Sequence, residues 1–537
     1  MRILFTGISG ISIDASLRGF TGYMEHLEDK PGVRISPSLV KVEGEMKRHY
    51  LKGHPEEKDR RSFWLRKILV LPYEELYDLW ETAFEDILST LPEHEKDGRD
   101  VFLNLHATYY HHYTTEYISV FQMEKIRNFS PSMIITLIDD IHDIHDRLKR
   151  DGEIFDSTLG GSTNREGAII ELLRILDWRA REIMMSRFIA REMEIPHFVF
   201  AVKHPYDTLY SLLYDESKPK MYFSHPISEV RRLQRDGKEE KAVEVISTVR
   251  SLSSRLSEEC VVFYPTTIDE LRIKNMGDPN NLDYYPVLLK RWEADQYASK
   301  GNSLFEIPVR DTSREFLWTV EGDPKDVPDK LLKALNENID VQVSSRDHKL
   351  VEQSECIFAY RPCFNGNISG GMLKEIQYYN VLKRKALGKA KKCFVYLPRT
   401  DQMELRRVVI GQVMRRAAKE GPGRLLKFRD EIPIDISVTN SDCVELIDCG
   451  NDIETVAEIV RKIMRRLGIS VAGSRHGLDS DWTQGSMDVE EKIAQDYVAI
   501  IREDLDEYYK AATHLWEEDN LSVQDLSGRI MSAIAAH

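Results

Sequence analysis

Two carboxylates carry the chemistry that this sequence offers most directly. Asp347 ends the run Ser344-Ser345-Arg346-Asp347 and opens an apparent helix over 347–353, while Glu375 follows the Gly-rich turn Ser369-Gly370-Gly371. Between them lies the apolar run Cys356-Ile357-Phe358-Ala359-Tyr360, which reads as a buried strand. Two carboxyl groups brought together at strand ends are enough to cleave an N-glycosidic bond. The oxocarbenium-like transition state needs negative charge beside the anomeric carbon and a proton for the leaving base. Taken singly, each acidic residue reads more readily as a solvated helix residue, and Gly370-Gly371 can be an ordinary turn. Their order along the chain is what favours a site.

Positioning these groups calls for a parallel α/β scaffold. Residues 221–223, 260–264, 340–343, 392–397 and 444–448 read as strands beside the run at 356–360, with helices over 238–256, 371–387 and 452–467. Sites in open parallel sheets lie beyond the carboxyl ends of strands, where Asp347, Ser369 and Glu375 all fall on this reading. A polar and aromatic insertion over 265–338, with a helix expected over 287–297, interrupts the pattern as a cap or an oligomer contact. Upstream, residues 3–5, 101–105, 133–138 and 197–202 read as strands separated by long helical stretches, a second parallel sheet with crossover connections. Downstream, residues 473–477 read as a linker and 489–516 and 523–536 as amphipathic helices, suited to packing or to homo-oligomer formation. The expected fold class is therefore α/β. Two parallel-sheet three-layer domains span 1–214 and 218–470, with a helical region at 478–537.

Arg-Asp, then a buried strand, then Ser-x-Gly with Glu375 six residues after Ser369, resembles the nucleoside 2-deoxyribosyltransferase superfamily, most closely its 2′-deoxynucleoside 5′-phosphate N-hydrolases. The earlier stretch Lys220-Met221-Tyr222-Phe223-Ser224-His225-Pro226-Ile227-Ser228 agrees, as a first strand running into a phosphate- or sugar-binding turn. The resemblance implies a flavodoxin- or Rossmann-type sheet, Glu375 as nucleophile and Asp347 as acid/base partner. It also implies Tyr222 as a pocket residue, and Ser224, Ser228, Ser369 and Gly371 as contacts to phosphate or sugar. The implied ligand is a small nucleoside or nucleotide, with no cofactor and no metal.

The N-terminal block resembles a P-loop nucleoside-monophosphate kinase of the archaeal adenylate kinase kind. The resemblance rests on Gly7-Ile8-Ser9-Gly10-Ile11 after the first strand, Asn104-Leu105-His106-Ala107-Thr108 after the second, and Arg147-Leu148-Lys149-Arg150-Asp151 before a Gly/Ser-rich stretch. A working loop reads GxxxxGK[ST], in which the lysine reaches the β/γ-phosphates. Aligning Gly7 with its first glycine and Gly10 within the loop puts Ser12, Ile13 and Asp14 at the last three positions. Without that lysine, and with Asp14 facing the phosphates, phosphoryl transfer loses its main electrostatic clamp. We expect a degenerate kinase fold kept for regulation, ligand sensing or assembly. A nucleotide kinase and a non-catalytic nucleotide-sensing scaffold are the alternatives to a glycosidic enzyme.

Composition narrows the class. At 537 residues the chain exceeds what one hydrophobic core usually supports. A net charge of −15 argues against stable duplex nucleic-acid binding, which is built from phosphate neutralisation. No apolar run is long enough to span a bilayer, and Met1 to Gly7 reads as a buried strand rather than a signal peptide. Six cysteines without a CxxC pair fit reduced thiols and a cytoplasmic location. The phrase Asp139-Asp140-Ile141-His142-Asp143-Ile144-His145-Asp146 invites a metal site, but a charged helix N-terminus after a strand is the favoured reading. His111-His112 reads as a loop pair.

Overall fold

The computed structural model describes residues 1–27, 34–57, 63–151, 165–227, 229–230, 233, 239–268, 286–289, 305–308, 329–360, 375, 378, 392–396 and 444–447. The chain divides into two compact units, Met1–Tyr210 with Pro265–Gln353, and Ser211–Tyr264 with Ser354–His537.

The first unit is built on a parallel sheet of β1 (Arg2–Thr6), β2 (Ser38–Lys41), β3 (Val101–Asn104), β6 (Met133–Ile138) and β7 (His197–Ala201), in the order β2-β3-β1-β6-β7. A small antiparallel hairpin, β4 (Tyr109–His111) with β5 (Glu116–Ile118), follows β3. Parallel neighbours need crossover connections. Here they are α1 (Ile13–Leu27), α2 (Val42–Gly53) and α3 (Tyr73–His94), then α4 (Met123–Phe129), α5 (Ile141–Asp151) and α6 (Arg165–Glu192); α7 (Tyr206–Tyr214) follows β7. The central strands are near-continuous apolar runs because both of their faces are covered: Ile3, Leu4 and Phe5 are fully buried, as are Ile134 and Ile135. Helical periodicity supplies the other half of the core. Leu76, Trp80, Phe84, Ile87 and Leu91 recur every three or four residues along α3, and all are buried.

In the second unit, β8 (Lys220–Ser224) leads through α8 (Glu239–Glu259) to β9 (Val261–Phe263). The hairpin β10 (Pro286–Leu289) with β11 (Phe305–Pro308) and the helix α9 (Asp329–Glu352) belong to the first unit. The second sheet continues with β12 (Cys356–Tyr360), β13 (Lys392–Tyr396) and β14 (Val444–Ile447), in the order β14-β13-β12-β8-β9 with every pairing parallel. Counted within the unit this is 2-1-3-4-5, the flavodoxin-type doubly wound order.

Two sequence expectations are corrected. Residues 340–343 are not a strand but the middle of α9. The β-propensity of Val341-Gln342-Val343 is overridden by a helical period in which Leu335, Ile339, Arg346 and Leu350 are buried while Val341 stands 66% exposed. Asp347 therefore lies near the end of a long helix rather than at the start of a short one. The helix expected over 287–297 begins instead as β10, paired antiparallel from Pro286↔Pro308 to Leu289↔Phe305; residues 290–297 lie outside the described residues. The segment after β9 packs by Ile268 against Ile138, Val199 and Ala201 of the first sheet. The expected helices at 371–387, 452–467, 489–516 and 523–536 fall largely or wholly outside the described residues. Among the described residues no helix is long and apolar enough to cross a membrane.

Candidate functional site

In the second sheet β9 lies beside β8 on one side and β13 beside β12 on the other, which makes β8/β12 the topological switch point, where open α/β sheets place ligands at the carboxyl ends of the strands. Strand periodicity decides what β8 presents there. Tyr222 and Ser224, two residues apart, share one face, and Phe223 and His225 the other. Phe223 packs on Phe358 of β12 with ring centroids 5.6 Å apart, and the His225 ring lies 5.1 Å from Phe223. On the opposite face both hydroxyls converge on one carboxylate. Tyr222 donates its phenolic O–H to Glu375 Oε1 at 2.8 Å, and Ser224 Oγ donates to Glu375 Oε2. Glu375 is helical and half-buried, with half-buried Tyr378 one turn further on. Two hydroxyl donors, one per oxygen, orient the carboxylate as an acceptor, the arrangement that suits its ionised form.

The structure thus brings together Tyr222, Ser224 and Glu375. Ser228, Ser369 and Gly371 lie outside the described residues. Asp347 belongs to the first unit, where Arg346 Nη2 donates to its Oδ1 at 2.8 Å. Arg346 in turn donates to the carbonyl of Ile268. His225 is buried, and burial pushes its imidazole down to about 4, so it is neutral at physiological pH.

The loop between β1 and α1 is organised by buried charge. Gly10 has φ +83°, and a Cβ there would stand 2.8 Å from Leu148 Cγ; Ser12 also takes a left-handed φ of 59°. Gly7 N–H donates to Glu182 Oε1 at 3.0 Å. Glu182, 1% exposed, also accepts from Ala107 N–H at 2.8 Å, Thr108 N–H at 2.7 Å and Thr108 Oγ at 2.6 Å. Burial raises its carboxyl above the ordinary range against the opposing pull of His106 and these donors. Asp14, at the first turn of α1, accepts from Asn104 Nδ2 at 2.6 Å and pairs with Lys41 Nζ at 2.6 Å. Burial would raise Asp14, but Lys41 and Asn104 outweigh it, and its carboxyl is held below the ordinary range.

Some of the other acidic residues are engaged by cations. Asp139 pairs with Arg147, and Asp143 accepts from Lys203 at 2.5 Å. Asp140 accepts the His142 N–H at 2.8 Å, as the favoured helix N-terminus requires. The carboxylates of Glu45 and Asp86, which with His49 have metal-ligand spacing, are both bonded to Arg48. Glu182 and Lys41 have no signal in the sequence, because their partners lie far along the chain. No family model and no curated protein matches the chain.

Proposed function

We propose that the second unit cleaves the N-glycosidic bond of a nucleoside or nucleotide, or transfers its sugar, with Glu375 as the nucleophile. The observation that carries this reading is the Glu375 carboxylate, held through both oxygens by Tyr222 and Ser224 at the β8/β12 switch point. The resemblance to nucleoside 2-deoxyribosyltransferases and deoxynucleotide N-hydrolases supports it independently, since both arguments select the same carboxylate. In the reaction one Glu375 oxygen attacks C1′ and the C1′–N bond breaks, its electron pair leaving with the base, which takes up a proton. The resulting glycosyl ester is released when water, or a second base, attacks C1′. Asp347 as acid/base partner rests on the order of residues in the sequence.

The test is product analysis with a panel of nucleosides, nucleotides and NAD. Free base is the expected product, together with a sugar adduct on the Glu375 peptide in quenched reactions. Glu375→Gln, nearly isosteric, should abolish base release with the circular dichroism spectrum unchanged. Wild-type turnover in that variant would remove Glu375 from the mechanism.

A further inference from the structure

The 28-residue helix α6 of the first unit buries one face and leaves the other in solvent. Ile175, Trp178, Glu182, Ser186 and Ile189 turn inward. On the outer face Ala180, Met184 and Phe188 stand four residues apart, one above the next, and all three are exposed, Met184 by 60% and Phe188 by 49%. A contiguous apolar stripe, unlike single scattered side chains, marks a surface that meets a partner. The helix that carries it is firmly seated. On one flank α9 runs beside it, tied by Gln342 Nε2 donating to the Leu176 carbonyl at 2.9 Å and by Arg187 pairing with Glu352 at 3.4 Å. On the other flank the Arg181 guanidinium lies 5.0 Å from the centre of the Tyr117 ring of β5.

The stripe is complementary to itself when a second α6 runs antiparallel to the first. With Met184 on a twofold axis, residues equally far to either side of it face one another across the pair. Ala180 then faces Phe188, so the smallest side chain of the stripe receives the largest, once on each side of the axis. Exposed Asp177 faces exposed Arg191 in the same way, acid against base. In a parallel pair each of these residues would face its own kind, and both matches would be lost. Arg181 faces Arg187 in the antiparallel pair, but each has an acid in its own chain: Asp177 Oδ2 accepts from Arg181 Nε at 2.9 Å, and Glu352 pairs with Arg187. A shallow crossing angle of about 20° keeps the helices together over this length.

We propose that the outer face of α6 is a docking surface for a second copy of this chain, the two helices packing antiparallel about Met184 with each Phe188 seated over the other copy's Ala180. A single helix pair falls short of the roughly 1,200–2,000 Å² buried by stable interfaces, so the dimer is a dissociable one, with a Kd on the order of 10 μM. The surface is independent of the chemistry assigned to the second unit.

The test is sedimentation velocity of the full chain at concentrations from about 1 to 200 μM, over which monomer should give way to dimer. Met184→Glu and Phe188→Glu, each placing a charge in the apolar stripe, should weaken association about tenfold or more. Both positions are exposed, so the circular dichroism spectrum and the unfolding midpoint should stay as in the wild type. Ala180→Phe should weaken it as well, by filling the space that Phe188 needs. The charges report the register. Asp177→Arg or Arg191→Asp alone should weaken the dimer about fivefold, and the two together should restore it. A chain that stays monomeric at the highest concentration overturns the proposal and leaves the stripe to a different protein. So does association that survives both Met184→Glu and Phe188→Glu, or charge exchanges whose combination fails to restore what each one loses.

Discussion

Lowering the pH from 7 to 4.5 should weaken both units through histidines whose burial disfavours the charged form: His225 in the second unit, and His204 together with His197, also pushed down to about 4, in the first. His225, 5% exposed at the end of β8, is pushed by burial from the ordinary 6.5 down to about 4. His204, 1% exposed after β7, is pushed by burial down to about 3, with Arg346 adding to the effect. In the unfolded chain each imidazole takes a proton near 6.5, whereas in the folded chain it stays neutral until the pH nears the lowered value. Between those limits the unfolded state binds more protons, so stability falls as the pH falls. Each contribution is fully present above about 6.5, and by pH 4.5 each site has given up roughly 2.5 kcal/mol at 1.36 kcal/mol per pKa unit. Against a typical domain stability of about 5–15 kcal/mol, that is a large share. Asp14 and Asp139, both held below the ordinary carboxylate range, lose their contributions only at lower pH, whereas Glu182, raised by burial, takes up its proton ahead of the unfolded chain and partly opposes the histidines in the first unit. The assay is urea unfolding at pH 7.0, 6.0, 5.0 and 4.5, read by pulsed hydrogen exchange in peptides covering β8 and β7. His225→Asn and His204→Asn lower the absolute stability, but the informative quantity is the pH slope, which each should flatten in its own unit. A change below about 0.5 kcal/mol across the window, or a wild-type slope in the variants, would refute the reasoning.

Removing either hydroxyl from Glu375, as Tyr222→Phe or Ser224→Ala, should cut base release about 10- to 100-fold, the worth of a hydrogen bond to a charged group, with little change in the unfolding midpoint. Steady-state kinetics checks this, and undiminished kcat in both variants would mean that the hydroxyls do not position the carboxylate. Glu182→Gln should destabilise the first unit by about 3 kcal/mol, because the amide turns N–H donors toward the buried N–H groups of Gly7, Ala107 and Thr108; urea midpoints at pH 7 report it. Asp347→Asn should slow natural substrates far more than substrates with activated leaving groups, if Asp347 protonates the base. Equal slowing would assign it a positioning role.

Nine of the strands were legible because each is a short apolar run bounded by turn residues, as in Ile3-Leu4-Phe5 or Cys356 to Tyr360. β2 was not, since Ser38–Lys41 is short and buries only Val40. The β4–β5 hairpin was hidden by its Tyr, His and Thr content, which reads as loop. Residues 340–343 read as a strand because Val341-Gln342-Val343 is β-like in isolation, and only the 24-residue helical period around it overrides that local preference. Within the site, alternation along β8 was enough to set Tyr222 and Ser224 on one face. That both hydroxyls meet Glu375, some 150 residues later, depends on the pairing of β8 with β12, for which no local pattern speaks. The same holds in the first unit, where Asp14 meets partners 27 and 90 residues away.

What separates the carboxylates is the kind of donor that holds them. Glu182 is almost wholly buried and bound mainly by backbone N–H groups, which cannot turn away without unmaking two loops. Asp14 is locked between an ammonium and an amide, and its charge is already answered by Lys41. Glu375 is half-buried and held by hydroxyls, groups that rotate and act as donor or acceptor. A hydroxyl can pass its hydrogen bond to an incoming sugar oxygen while the carboxylate advances on carbon, whereas a peptide N–H is fixed by the fold. On that ground Glu375, of these three carboxylates, is the one that fits the covalent step proposed above. Glu182 is suited to keep the β1 loop closed, and Asp14 to tie the start of α1 to the ends of β2 and β3.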